Sequence, residues 1–150
     1  MKIGITYLYT ILRYGYPHSV DATIDGLAHM RDAGFRFVEL EGLGSDHLHQ
    51  VYLHRERLLE SLRATGVHVH NFCIVLPDLV SLDKTRQQTA MEEFRLGAEV
   101  ANFLDTETLH LASYAPPVEY LDSPPYSLGA QGGYQFIDIP RLHLLCLAAG

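Results

Sequence analysis

Two hydrophobic periods alternate along the first 112 residues. Short apolar runs of strand length occupy residues 2–8, 35–40, 67–74 and 108–112, and between them apolar side chains recur at helical spacing. The first helical pattern carries Val20, Ile24, Leu27, Ala28 and Met30; Ser19 precedes it as a cap, and Asp21 suits the positive end of the helix dipole. The second, over 46–64, carries Leu48, Val51, Tyr52, Arg55, Leu59 and Leu62, and the third runs over 84–103. Gly34 and Gly66 sit where a left-handed residue closes a helix. Residues 9–18, rich in Tyr, Gly and Pro, read as a loop. Successive strands lie roughly 32 to 39 residues apart, which predicts parallel strands joined by right-handed helical crossovers.

Strand-helix units repeated in this way predict an α/β fold of the parallel (β/α) barrel type. A TIM-type barrel takes eight units and roughly 250 residues, so four units in 150 residues predict an incomplete one. The pattern stops at Ser113. Residues 113–140 hold five of the seven prolines, four tyrosines and no helical period, and RLHLLCLAAG at the end has no start cap. We therefore expect one truncated domain over 1–150 with a long loop and an atypical tail over 113–150. A net charge of −7 with signs interspersed offers no footprint for nucleic acid or an anionic membrane. No apolar run approaches transmembrane length and no signal-peptide pattern opens the chain, which predicts a cytoplasmic protein. Cys73 and Cys146 lack paired spacing and are expected reduced, Cys73 in a strand.

Strand side chains alternate between faces, so Glu39 and Glu41 share one face of the second strand while Val38 and Leu40 take the other. Carboxylates turned inward can bind hydroxyl groups, hold a cation or move a proton. Alternatively, Glu39 pairs with an arginine such as Arg13 and Glu41 lies in solvated loop. His110 falls near the end of the fourth strand, where barrel side chains reach the catalytic mouth; it can ligate a metal, transfer a proton or be a bonded core histidine. On the third strand His68 and His70 share one face and Asn71 and Cys73 the other. Five residues separate Gly34 from Glu39 and Gly66 from Asn71, so matching parity favours Asn71 as the lining residue, with His70 replacing it if a bulge shifts the register. Gly42-Leu43-Gly44-Ser45-Asp46-His47 lacks the third glycine of a dinucleotide loop. His47, His49 and His54 read as a solvated helix face. No G-x-S-x-G, P-loop or H-E-x-x-H motif occurs.

Three segments in this order and spacing carry a family resemblance: Ala33-Gly34-Phe35-Arg36-Phe37-Val38-Glu39-Leu40, Leu62-Arg63-Ala64-Thr65-Gly66-Val67-His68-Val69, and Leu96-Gly97-Ala98 followed by Thr108-Leu109-His110-Leu111. The chain resembles the N-terminal half of the sugar-phosphate isomerase/epimerase superfamily, the xylose-isomerase-like barrels that also include apurinic-site endonucleases. That resemblance implies a divalent metal (Mn, Mg or Zn) and a sugar or polyol at the strand C-termini, with proton transfer at a carbon next to a carbonyl. It implies that Glu39 and His110 act in catalysis, His110 matching the family's strand-four histidine, and that Tyr7, Glu41 and Asn71 bind substrate. His110 and His70 are auxiliary metal candidates, since the family's principal ligands come from strands five to eight, beyond this chain. Tyr7, Tyr9, Tyr14 and Tyr16 surround the first βα loop and can stack on a sugar ring or pack the rim. Two other readings stand beside the enzyme: a non-catalytic half-barrel that binds a ligand or pairs into a homo-oligomer through open sheet edges, and a nuclease of the apurinic-site class, which the acidic charge disfavours.

Overall fold

The computed structural model describes residues 2–111. Four parallel strands, β1 (Gly4–Ile5), β2 (Phe37–Leu43), β3 (His68–Val75) and β4 (Thr108–Leu111), form one sheet in the order β1-β2-β3-β4. Five helices connect them: α1 (Leu8–Tyr14), α2 (Val20–Asp32), α3 (Gly44–Leu53), α4 (Arg55–Thr65) and α5 (Lys84–Phe103). The long loop and tail expected over 113–150 lie outside the described residues.

The helix ends follow from the residues placed there. Ser19 Oγ accepts the Ala22 amide of α2 at 3.1 Å, and the Asp83 carboxylate accepts the Thr85 and Arg86 amides of α5 at 2.8 and 3.3 Å. Each such cap stabilises a helix by ~1 kcal/mol. Gly66 closes α4 in the left-handed conformation at φ 67°. The core lies between sheet and helices, with Val38, Leu40, Phe72 and Ile74 meeting Leu27 and Met30 of α2, Leu48 of α3 and Val100 of α5. Two glycines set the packing distance. A Cβ on Gly42 would fall 2.7 Å from Leu48 Cδ1, and one on Gly97 would collide with Ile74 Cδ1, so α3 and α5 sit closer than any larger residue allows.

Three sequence expectations are corrected. Residues 9–18 are not all loop, because Leu8–Tyr14 forms α1, which buries Thr10 and Ile11 and ends at Gly15. Tyr14 Oη donates to Asp25 Oδ2 at 2.6 Å and so ties α1 to α2. The helix over 46–64 is broken at His54, whose φ of −107° and ψ of 15° leave the helical basin. Arg55 fills the break: its guanidinium donates to Tyr52 O at 2.7 Å and lies 4.2 Å from the centre of the Tyr52 ring. On β3 strict alternation fails, because the pairing runs Val38 with Val69 and then Glu39 with Asn71, leaving His70 as an extra residue.

The sheet is curled. Lys2, ahead of β1, reaches Glu107, ahead of β4, and Glu107 Oε2 also lies 3.2 Å from His70 Nδ1, although two strands separate β1 from β4. A flat sheet would hold its edges about 14 Å apart, so the strands wrap as an arc of a barrel. Among the described residues no helix is long and apolar enough to cross a membrane.

Candidate functional site on the curled face

The face turned away from the helices is polar. Parallel pairing aligns Glu39, Asn71 and Thr108 in one row and Glu41, Cys73 and His110 in the next, nearer the strand C-termini. Small-ligand sites are typically clefts of about 300 to 1,000 Å³, and the curl borders one of about 460 Å³, lined from both edges by Thr6, Glu39, His70, Asn71, Thr108 and His110 among others. Asn71 Nδ2 donates to Glu39 Oε1. Single ligand atoms of Glu39, Cys73 and His110 lie within 4.8 Å of one another. Glu39 is half-buried, Cys73 buried and His110 exposed, so the group opens on its Glu39 and His110 sides. Burial, with Glu39 and Glu41 nearby, pushes the Cys73 thiol up to about 12.

Glu41 belongs to a second group, sealed from solvent. The segment after α1 brings His18 over it, with Nε2 2.5 Å from Glu41 Oε1, and α3 brings His47 beside His18 with ring centres 5.0 Å apart. No N–H of either histidine is aligned on the carboxylate, and both Glu41 oxygens lie buried without a hydrogen bond. The three groups resist charge: burial pushes Glu41 well above the carboxylate range, and holds His18 and His47 down to about 4. We read the pair as neutral acid beside neutral imidazole, since two bare charges in this setting would lack the further hydrogen bonds a buried ion pair needs. The Leu43 amide donates to His47 Nδ1 at 3.0 Å, which leaves the His47 proton on Nε2.

Of the residues expected in the site, Glu39, Asn71, His70 and His110 meet at the cavity, while Tyr7 and Glu41 are not among those lining it. The alternative reading of Glu39 and Glu41 is corrected: Arg13 engages Tyr14, Glu39 engages Asn71, and Glu41 is buried in β2 rather than solvated in a loop. Parity counting placed His68 opposite Asn71; the bulge at His70 puts both on the curled face's side of the register, and His70 itself turns to Glu107. His47 is buried rather than solvated, because α3 turns it toward Leu43 and His18. Cys73 lies in a strand as expected and joins Glu39 and His110; its parity with Asn71 is the sequence signal for this.

The implied divalent metal is tested by the donor set. A carboxylate, a thiol and an imidazole do not suit magnesium or manganese, which take oxygen ligands, and do suit zinc.

No protein-family model and no curated protein matches the chain. Several solved structures do. A D-psicose 3-epimerase, crystallised in the presence of D-fructose, superposes with a TM-score of 0.59 at 19% identity, over 83% of this chain and 41% of that one. The probable 3-DHS dehydratase AsbF of Bacillus anthracis, involved in petrobactin synthesis, superposes with a TM-score of 0.51 at 21% identity, over 74% of this chain and 38% of that one. The chain shares their fold. It is an α/β barrel of TIM type in part, as the resemblance to xylose-isomerase-like barrels predicts, and it spans about two fifths of the length of these two proteins.

Proposed function

We propose that the curled face is the sugar- or polyol-binding part of a metal-dependent sugar (phosphate) isomerase or epimerase, whose reaction moves a proton at a carbon next to a carbonyl. The observation that carries this reading is the convergence of Glu39 from β2 and His110 from β4 on one cavity shared by both sheet edges. Asn71 donates to Glu39 Oε1 and so orients the carboxylate, whose Oε2 would hold the metal that assists the proton transfer. The His110 imidazole can donate to or accept from a hydroxyl. A bound divalent metal would polarise the carbonyl oxygen; Glu39, Cys73 and His110 are the residues that would hold it.

The test is exchange of the substrate's carbon-bound proton for deuterium in D2O, followed by NMR over a panel of ketoses and ketose phosphates with Mn²⁺, Mg²⁺ or Zn²⁺ present. Exchange is expected, with Glu39→Gln lowering its rate by about 10²- to 10⁴-fold. No exchange across the panel, or exchange indifferent to Glu39→Gln and His110→Ala, sinks the reading.

The outer edges of β1 and β4 favour a second reading, since neither carries a strand partner among the described residues. Two chains could then pair edge to edge, catalytically or not. Native mass spectrometry decides: a stoichiometric dimer supports pairing, and a monomer at micromolar concentration removes it.

A further inference from the structure

We propose that Glu39, Cys73 and His110 form a thiolate-containing site for a borderline divalent cation of the zinc class, and not for magnesium or manganese. The inference shares its cavity with the sugar reading, yet it stands on ligand geometry and survives if no sugar is turned over.

Three observations support it. The three side chains come from adjacent strands held in fixed register, so their ligand atoms are positioned by the sheet, and they already lie within 4.8 Å of one another. Ligands around tetrahedral zinc stand roughly 3.5 Å apart, given bond lengths of about 2.0 to 2.3 Å, so rotamer adjustments of an exposed His110 and a half-buried Glu39 bring them in. Asn71 supplies the outer-shell contact typical of such sites by fixing Glu39 Oε1, and this leaves Oε2 for the ion. Asn71 Oδ1 is buried without a partner and offers an acceptor to a water in the remaining coordination position. Hard cations are a poor match, because only one of the three ligands is an oxygen.

Binding replaces the Cys73 S–H bond with a bond from the thiolate sulfur to the cation, and the proton leaves to solvent; no oxidant is involved. The cation enters from the cavity, on which Glu39 and His110 border.

Cobalt(II) reports the site directly. In a Cys146→Ser background, which removes the other thiol, one equivalent of Co²⁺ is expected to give a near-ultraviolet thiolate-to-cobalt charge-transfer band. One equivalent of Zn²⁺ should bleach it, and a large excess of Mg²⁺ should not. Cys73→Ser should abolish the band, and His110→Ala should weaken Co²⁺ binding by at least about tenfold, the effect seen when even outer-shell partners are lost. Absence of the band, its persistence in Cys73→Ser, or displacement by Mg²⁺ overturns the proposal. If Cys73→Ser does not fold, His110→Ala decides, because that side chain is exposed; unchanged affinity in it sinks the site. Zinc binding without deuterium exchange would leave this site standing and remove the sugar chemistry, and the converse result would do the opposite.

Discussion

The two faces of β2 and β3 are built from the same seven or eight residues of backbone and do opposite things. Toward the helices stand Val38, Leu40, Phe72 and Ile74, all at most 2% exposed, in contact with one another and with the helices. Toward the curl stand Glu39, Glu41, Asn71 and Cys73, among which several buried polar atoms lack partners. The first face is where the sheet gains its stability, since each fully buried side chain there contributes about 1.5 to 3 kcal/mol. The second gives part of that gain back, because unpaired buried polar groups cost about 1 to 3 kcal/mol each. A face that a sequence keeps polar against its own stability is the face on which to look for chemistry.

Four substitutions or conditions would break or sharpen this contrast. Phe72→Ala empties the centre of the apolar face and should lower unfolding free energy by about 3 to 5 kcal/mol in a urea titration. Acid should act on the polar side. His18 and His47 are held to about 4 by burial, against an ordinary 6.5, so between these values the unfolded chain binds protons that the folded chain refuses. The histidines' contribution is present in full above about pH 6.5 and falls as pH drops toward 4, by up to ~3 kcal/mol per histidine, and Glu41, whose raised pKa keeps a proton in the folded chain, acts in the opposite sense; a His47→Gln variant should show a shallower fall. Gly97→Val would push a methyl group into Ile74 and part α5 from the sheet, costing about 1 to 3 kcal/mol in thermal unfolding. Glu39→Gln should move stability least, by under about 1 kcal/mol in the same assay, while abolishing most of the proposed chemistry. Were Glu39→Gln as destabilising as Phe72→Ala, the two faces would not differ in kind.

Much of this was legible beforehand, for physical reasons that differ by element. Helix α5 falls on the expected residues 84–103, because Asp83 caps it and a 20-residue period leaves little room for error. Ser19 and Gly66 likewise act as the boundaries they resemble. Helix α1 was hidden because Leu8–Tyr14 carries two tyrosines, has no acidic residue in its first turn and starts from Tyr7, whose side chain makes no capping bond; tertiary packing on α2 forms it. The Glu39 and Glu41 alternation was readable, but that Glu41 would be sealed by His18 was not, since the two are 23 positions apart and meet only when the segment after α1 folds over β2. Cys73 illustrates the reverse case. Its place in the ligand group follows from parity alone, while its chemical type is more often core than ligand.

The extra residue on β3 has an evolutionary consequence. A strand packed on one side ordinarily cannot gain or lose a residue, because every side chain beyond the change would turn inside out. Around His70 the buried apolar positions are Val67 and Val69 before it and Phe72 and Ile74 after it, a step of three in a series of twos. Removing His70 would leave Val69, Asn71, Phe72, Cys73 and Ile74 in plain alternation, with every one of them on the side it now occupies. This point in the strand is therefore a seam at which lineages can differ in length by one residue without disturbing the core, and a sequence comparison that forbids gaps inside strands would misalign Asn71 and all that precedes or follows it.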